Sequence, residues 1–452
     1  MRNRLWSLLA VLLLAITILP SCAPGGIKAP ANIKPVIFVH GFAGSAAQFE
    51  SQAMRFASNG YPADYISAFE YDTSAGLSPN FPPPALLENI DQFIANVMSK
   101  TGADKVDVVG HSLGTKVMQT YLKSSPERAA KVAHYVNVDG TPSNELPGGV
   151  PTLALWADRN PKGFPVGGQV VGGTNITLTN VTHVQCATCA PAFVEMFKFF
   201  TGQPPVTDKI VAEPTGNIEL TGRAVIFPQN TGVQDPGATL QVWEIDGNTG
   251  ARTGSQPQDT YPIGGTGDWG PFAAKTGVNY EFALVREQVI VHFYFEPFLR
   301  SDYLIRLNNE VPGKGMGSRM DASAAHSNMY ISRSNEFWGD QGDDSDVLTI
   351  DGTNICTPEI CPMAHLVNAI FVFDAGSDGK SDLSQPVQYF YTVIPVFLTG
   401  ADLYIPASNP PTGTIALVLT PRESGGKTQV LNVPNWPSST DRISIQFNDF
   451  VQ

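Results

Sequence analysis

Short apolar runs alternate with segments of helical periodicity over the first 200 residues. The runs predict strands and the periodic segments predict helices. The predicted strands are 36–39, 65–71, 106–109, 132–138, 151–157 and 175–178, and the predicted helices are 45–59, 86–99, 115–123 and 191–200. Because such alternation indicates a parallel sheet covered by helices on both faces, we expect an α/β domain over residues 35–203.

After residue 203 the pattern changes to short strands separated by Gly, Asn, Asp and Pro turns. The predicted strands are 218–227, 239–245, 279–284, 289–295, 303–307, 347–350, 370–373, 387–392, 403–405, 414–419, 429–432 and 443–447. Helical periodicity is nearly absent, and residues 362–368 predict one or two helical turns at most. Residues 204–452 are therefore predicted to form an all-β barrel or sandwich. The aromatic run 289–299 is either a buried strand or part of a surface that holds acyl chains.

The strand predicted at 106–109 leads directly into GHSLG at residues 110–114 and then into a helix. A strand, a G-x-S-x-G motif and a helix in direct succession are typical of a sharp turn that exposes the serine above a sheet edge. This context makes Ser112 a candidate nucleophile. Because serine is a weak nucleophile without a base, the motif also predicts a histidine and an acid further along the chain.

A second glycine-containing loop, HGFAGS at residues 40–45, follows the first predicted strand. α/β-Hydrolases place an oxyanion-binding amide in a loop of this kind, and the second amide follows the nucleophile. The backbone N–H groups of Phe42 and Leu113 are the candidate pair. Such donors stabilise negative charge that develops on a carbonyl oxygen in the transition state.

His183 is the candidate base, because it alone of the seven histidines follows the nucleophile in the loop between the last strand and the last helix of the α/β domain. Two aspartates compete for the acid. Asp158 follows the strand that usually carries the acid in α/β-hydrolases, whereas Asp139 lies one strand nearer the nucleophile. The strand order alone favours Asp158.

The first 22 residues predict an export signal, with Arg2 and Arg4 ahead of an apolar stretch. That stretch ends in LPSC, which resembles a lipobox with Cys22 as the lipidated residue. Residues 23–34 would form a linker. We therefore expect an exported protein, either a lipoprotein anchored to the membrane through Cys22 or a secreted protein.

The 452-residue chain has 42% hydrophobic residues and a formal charge of -13, so it lacks the basic character of a nucleic-acid-binding protein. The other four cysteines form close pairs, Cys186 with Cys189 and Cys356 with Cys361. An oxidising compartment favours two local disulfides, and a zinc site is the alternative. The acidic stretch 340–346 is either a solvated loop or a calcium site. No metal or cofactor is otherwise expected.

Several stretches together resemble the family of the Archaeoglobus fulgidus lipase. They are VIFVHGFAGS, VDVVGHSLG, HYVNVDGTPS, NVTHVQ, ICTPEICPMAHLVNAIFVFDAGSDGKSDL and RISIQFNDFV. The resemblance implies an α/β-hydrolase domain followed by a β-barrel domain that accommodates long acyl chains. It also implies that Ser112, His183 and Asp139 hydrolyse esters without a cofactor. Asp139 is favoured over Asp158 as the acid because the family's counterpart of WADRNPK lacks an aspartate at the position of Asp158. The pair Cys186 and Cys189 departs from the family pattern.

The sequence thus predicts an exported serine carboxylester hydrolase, a lipase or esterase that acts on lipid or other acyl esters. A polyester is the alternative substrate. The alternative function is a surface-anchored lipid- or carbohydrate-binding protein with an inactive hydrolase domain. Since every candidate catalytic residue precedes residue 202, we expect the β domain to serve long-chain substrates rather than the chemistry.

Overall fold

The structure is a computed structural model and describes residues 27–161, 166–393 and 396–451. The predicted export signal and Cys22 lie outside the described residues. In the part of the chain that is described, no helix has the length and apolar character needed to cross a membrane.

The N-terminal half forms one parallel sheet with the strand order β2-β1-β3-β4-β5-β6. Its elements in chain order are β1 (Val36–Val39), α1 (Glu50–Ser58), β2 (Ile66–Phe69), α2 (Pro84–Thr101), β3 (Val106–His111), α3 (Leu113–Ser124), α4 (Pro126–Ala130), β4 (Val132–Val138), β5 (Thr152–Ala157), β6 (Thr174–Leu178), α5 (Gln185–Thr188) and α6 (Ala190–Thr201). Three-residue or four-residue 3-10 helices lie at Ala46–Phe49, Ala63–Tyr65 and Pro147–Gly149. The predicted α/β-hydrolase class is confirmed.

The central strands are buried on both faces because helices cover both sides of the sheet. Every residue of β1, β3 and β5 is buried, as expected for strands of a parallel sheet. On one face Phe56 of α1 lies edge-on to Phe193 of α6, with ring centroids 5.1 Å apart. This packing fixes α6, and with it the preceding loop, against the sheet.

The C-terminal half consists of three β-sheets. Its elements are β7 (Asn217–Ile226), β8 (Thr231–Gly232), β9 (Thr239–Glu244), β10 (Asp259–Pro262), β11 (Asp268–Lys275), β12 (Tyr280–Val285), β13 (Ile290–Phe295), β14 (Asp302–Asn309), β15 (Met329–Arg333), β16 (Val347–Ile350), β17 (Thr353–Asn354), β18 (Ala369–Phe373), α7 (Gln388–Val393), β19 (Leu398–Asp402), β20 (Thr414–Thr420), β21 (Gln429–Pro434) and β22 (Asp441–Phe447). Further 3-10 helices are Met316–Arg319, Gly342–Asp344 and Met363–His365.

An eight-stranded sheet, β10-β9-β12-β13-β22-β15-β18-β19, forms the centre of this half. One apolar core joins it to the sheet β11-β7-β14, and another joins it to the sheet β17-β16-β20-β21. The all-β expectation therefore holds for most of the region. The aromatic run 289–299 supplies β13, which is buried in the middle of the large sheet, so its interpretation as an acyl-chain surface is wrong.

Two predicted strands near residue 390 are wrong. The region predicted as strand 387–392 contains helix α7 instead, because Pro386 cannot donate to a ladder and Phe390 packs against Phe371 with ring centroids 4.4 Å apart. The adjacent strand is β19, which ends before the predicted 403–405. β11 was missed because Gly270 and Pro271 indicate a turn; a register shift between Trp269 and Phe272 accommodates them.

Candidate functional site

Ser112 lies in the turn between β3 and α3, with backbone φ 52 and ψ -120. This strained conformation is stabilised by a hydrogen bond from the Ser112 N–H to the Val138 carbonyl, at 3.1 Å. Gly114, at the end of the motif, cannot be replaced by a larger residue without a clash, because a Cβ there would lie 2.3 Å from the Val39 carbonyl oxygen. The motif therefore lets helix α3 start directly against β1 and leaves the Ser112 side chain at the sheet edge.

His183 occupies the loop between β6 and α5, as predicted. Its Nε2 lies 2.9 Å from Ser112 Oγ, and its Nδ1 lies 2.7 Å from Asp139 Oδ2. The structure thus brings together the three side chains that the sequence singled out. A histidine hydrogen-bonded to a serine on one nitrogen and a carboxylate on the other can accept the serine proton.

Asp139 is held at the end of β4 by several donors. The Ala157 N–H donates to its Oδ1 at 2.9 Å, and Asn160 Nδ2 donates to its Oδ2 at 3.2 Å. Burial alone would raise the pKa of Asp139. The hydrogen bond and charge of His183, together with the hydrogen bonds from Ala157 and Asn160, outweigh burial and hold this pKa below its usual range. Asp139 is therefore ionised at neutral pH and is the carboxylate beside Nδ1.

Asp158, the competing acid, has a different partner. Its Oδ1 accepts a hydrogen bond from the Val181 N–H at 3.1 Å, which ties the end of β5 to the loop that follows β6. The neighbouring Arg159 donates to Gln341 at 2.8 Å, not to Asp158.

His111, inside the serine motif, was not singled out by the sequence. It is fully buried, and burial together with the neighbouring His183 ring lowers its pKa to about 3. It is therefore neutral at neutral pH. Its Nε2 donates to the His183 carbonyl at 2.9 Å, and its Nδ1 accepts from Gln48 Nε2 at 3.0 Å. His111 thus supports the backbone of the candidate base rather than exchanging protons with it.

The candidate oxyanion amides lie in two turns that meet. A Cβ on Gly41 would come within 2.9 Å of Ser112 Cβ, so the HGFAGS loop touches the serine turn. The N–H of Ala43 donates to Thr73 Oγ1 at 3.2 Å, and that of Gly41 lies 3.5 Å from Gln48 Oε1. Within the described residues, the N–H groups of Phe42 and Leu113 have no acceptor. These two donors are available to a ligand oxygen.

The segment after Thr73 covers the two oxyanion residues. Gly76 packs so closely that a Cβ would lie 2.5 Å from the Leu113 side chain and 3.2 Å from that of Phe42. The next residue, Leu77, is 79% exposed. This segment forms one wall of the site and presents an apolar side chain at its rim.

The cysteines differ from expectation, whereas the acidic stretch 340–346 is exposed over most of its length, as its interpretation as a solvated loop predicts. Cys186, Cys189, Cys356 and Cys361 are all free thiols, so neither predicted disulfide is present. Burial, with smaller contributions from Asp139 and Cys189, raises the pKa of Cys186, which keeps that thiol protonated. Among the described residues, no group of three or more His, Cys, Asp or Glu could hold a metal ion. Asp346 of the acidic stretch is fully buried and pairs with Arg422 at 2.6 Å.

Three family models match the chain. A model described as lipase (class 2) matches residues 33–133, and one described as lipase C-terminal domain matches residues 216–312. A third, described as a C-terminal domain, matches residues 315–451. The first match contains Ser112 but ends before Asp139 and His183. Together the two lipase matches support a lipase-like hydrolase.

Solved structures similar to this chain include a CIB-like hydrolase from Thermoplasma acidophilum, with 14% identity over 38% of this chain and 88% of that chain and a TM-score of 0.29. A protein of Listeria innocua has 14% identity over 40% of this chain and 98% of that chain, with a TM-score of 0.30. Phospholipase PlaB from Legionella pneumophila has 9% identity over 62% of this chain and 94% of that chain, with a TM-score of 0.28.

Proposed function

We propose that this lipase-like hydrolase is a serine carboxylester hydrolase that acts through an acyl-enzyme. The observation that carries the proposal is the continuous hydrogen-bonded series from Ser112 through His183 to Asp139. The two unpaired amides beside Ser112 supply the electrostatic part of the same chemistry.

In the proposed mechanism, Ser112 Oγ attacks the ester carbonyl carbon while His183 Nε2 takes its proton. Asp139 keeps the histidine in the tautomer with hydrogen on Nδ1 and stabilises the imidazolium that forms. The N–H groups of Phe42 and Leu113 receive the carbonyl oxygen as it becomes negative. His183 then protonates the leaving alcohol, and a water molecule activated by the same histidine releases the acid.

We infer that the substrate is a lipid or another acyl ester, with a polyester as the alternative. The lipase (class 2) and lipase C-terminal domain matches support this substrate class. The likeness to the Archaeoglobus fulgidus lipase extends it to long acyl chains accommodated with the help of the C-terminal domain. The exposed Leu77 at the rim of the site suits contact with such chains.

The test is the rate of hydrolysis of p-nitrophenyl butyrate and p-nitrophenyl palmitate by the wild type and Ser112→Ala. The wild type should hydrolyse both esters, and Ser112→Ala should lose about 10⁴-fold or more in kcat because no other group can form the acyl-enzyme. Near-wild-type turnover by Ser112→Ala, or no turnover by a folded wild type, would exclude the mechanism. The latter result would favour the lipid- or carbohydrate-binding alternative.

We also propose that the protein is exported and carries a lipid on Cys22. The proposal rests on the n-region, apolar stretch and LPSC sequence at the N terminus. Mass spectrometry of the mature N-terminal peptide tests it. A diacylated peptide that begins at Cys22 is expected, and an unmodified peptide that begins elsewhere would support plain secretion or retention.

A further inference from the structure

The C-terminal half contacts two of the loops that carry candidate catalytic groups, those of His183 and Phe42. Glu336 contacts the loop of His183, and residues 228–230 contact the loop of Phe42. We propose that the C-terminal half completes the active site, with Glu336 and Asn230 as positioning residues for the two loops. The inference rests on the proposed function, because it concerns how the ester-hydrolysing site is assembled.

The first contact joins Glu336 to the residue before His183. Thr182 Oγ donates to Glu336 Oε1 at 2.5 Å, and both residues are completely buried. The Thr182 hydroxyl lies farther from Gln185 Oε1, at 3.3 Å, so Glu336 is its closer acceptor. Because the hydrogen bond to Glu336 fixes the Thr182 side chain, it also restricts the position of the adjacent His183 backbone.

The backbone of Glu336 is held by arginines of the C-terminal half. Its backbone carbonyl accepts hydrogen bonds from Arg333 and from Arg422 Nη1, the latter at 2.6 Å. Its carboxylate Oε2 lies 3.5 Å from Arg422 Nη2 and accepts no hydrogen bond from the described residues. Arg422 in turn pairs with the buried Asp346. The acceptor for Thr182 is therefore a buried carboxylate beside a charged network and not a mobile surface side chain.

A buried charged network is an unfavourable way to hold two surfaces together. Taking a carboxylate out of water costs free energy, and well-packed apolar residues often stabilise an interface equally well. What the charged network adds is direction, because Glu336 accepts a hydrogen bond from Thr182 at one defined position. A role of Glu336 in orienting the His183 loop explains why a carboxylate, rather than an apolar side chain, is buried at this position.

The second contact joins Asn230 to the oxyanion loop. Asn230 Nδ2 donates to the Gly44 carbonyl at 2.9 Å and to the Tyr71 carbonyl at 3.1 Å. Its neighbour Pro228 accepts from the Thr73 hydroxyl at 3.4 Å, and Thr73 Oγ1 accepts from the Ala43 N–H. Donors and acceptors of the C-terminal half thus flank the segment that presents the Phe42 amide.

Together the two contacts hold the base from one side and the oxyanion amide from the other. Misplacement of a catalytic group by about 1 Å can cost roughly 10²-fold in rate. The expectation that the C-terminal half serves long chains alone therefore needs revision. We expect its positioning residues to affect even short, soluble esters whose acyl chains need no extended binding surface.

The test uses full-length variants and p-nitrophenyl butyrate, each assayed well below its own melting temperature. Thr182→Val and Glu336→Met each remove the hydrogen bond, and each should lower kcat by about tenfold or more, with KM within about twofold of the wild type. Thr182→Ser, which keeps the hydroxyl, should restore most of the activity. The double variant Thr182→Val/Glu336→Met should be no less active than the less active single variant, because both substitutions remove the same bond.

Matched controls separate positioning from general destabilisation. Glu281→Met makes the same change at another buried, arginine-paired glutamate of the C-terminal half, and its kcat should stay within about twofold of the wild type. Asn230→Ala should lower kcat by about tenfold, whereas Asn328→Ala, at a buried asparagine that donates to Asp321 within the same half, should not.

Three outcomes would overturn the proposal. The first is wild-type kcat in Thr182→Val, Glu336→Met and Asn230→Ala. The second is an equal loss in Glu281→Met and Asn328→Ala, which would indicate destabilisation of the whole C-terminal half. The third is a wild type that hydrolyses no ester, which would remove the proposed function itself. In the first two cases the active wild type leaves the proposed function standing.

Discussion

At the residue scale, the two aspartates near the site differ in what they contact. Asp139 faces the Nδ1 atom of His183, whereas Asp158 accepts a hydrogen bond from the Val181 backbone. Strand order alone favoured Asp158, and the sequence resemblance favoured Asp139. The geometry supports the second alternative, and we propose Asp139 as the acid.

Asp139→Asn should leave the fold intact and lower kcat by as much as roughly 10⁴-fold, because an amide can hydrogen-bond the wrong histidine tautomer. Asp158→Asn is the matched control and should cost less than about tenfold, since its acceptor oxygen can still receive the Val181 N–H. Steady-state kinetics and melting curves of both variants check this. The opposite ranking of kcat, with both variants melting normally, would transfer the acid role to Asp158.

The residues of the site differ in how far the sequence could predict them. Ser112 was predictable from its local motif, and His183 from its place after the nucleophile in the loop that follows the last strand of the α/β half. Glu336 was not predictable, because it contacts Thr182 across 154 positions of sequence and no local pattern marks it. His111 was visible in the motif, but its partners, Gln48 and the His183 carbonyl, appear only when three loops meet in space.

At the element scale, elements with a regular local pattern were predictable and others were not. Most strands of the parallel sheet are apolar runs, so their existence and their succession along the chain were predictable. β15 was not predicted, although it lies inside the eight-stranded sheet between β22 and β18. β11 was hidden by its Gly270-Pro271 bulge, and α7 resembled a strand because its apolar residues follow one another closely. In both cases the neighbouring sheet, rather than local preference, determines the element.

The eight-stranded sheet also contains a buried charged group that should make its stability depend on pH. His292 of β13 lies between Glu281 of β12 and Asp441 of β22, at 2.6 and 2.8 Å. Burial alone would lower the pKa of His292, but the hydrogen bonds to Asp441 and Glu281 outweigh it and raise the pKa above its usual value. Protonated His292 therefore stabilises the folded state.

Because the folded pKa exceeds the unfolded value of about 6.5, this stabilisation should be complete below about pH 6 and disappear as the pH rises through the folded pKa. The loss in unfolding free energy caused by His292→Gln should therefore be largest in mildly acidic solution and smaller in alkaline solution. Denaturant unfolding at several pH values measures it. His365→Gln is the control. Because burial lowers the pKa of His365, the loss in unfolding free energy caused by this substitution should be larger in alkaline than in mildly acidic solution. A pH-independent loss in His292→Gln would contradict the account.

At the scale of the whole molecule, the two halves meet through charged and polar contacts close to the chemistry. Glu70 beside β2 accepts from Arg306 of β14 and from Arg223 of β7, each at 2.8 Å. These arginines hold the pKa of Glu70 at about 2 against the raising effect of burial. The same Glu70 accepts from the Ala46 N–H just after the oxyanion loop, so the interface and the site share residues.

The division into an α/β half and an all-β half was predictable from the change of hydrophobic period near residue 203. How the halves meet was not, because the contacts join single polar residues that are far apart in sequence. We therefore propose a serine hydrolase whose second half contributes to the geometry of the site and not only to the binding of acyl chains.

The most direct test of the central claim is the site of covalent labelling by a fluorophosphonate, read by intact-protein and peptide mass spectrometry. We predict one adduct per wild-type chain, located on Ser112, and none on Ser112→Ala. Labelling should be greatly slowed in Asp139→Asn, because the base that activates the serine is then misoriented. A folded wild type that forms no adduct, or an adduct that persists in Ser112→Ala, would contradict the account.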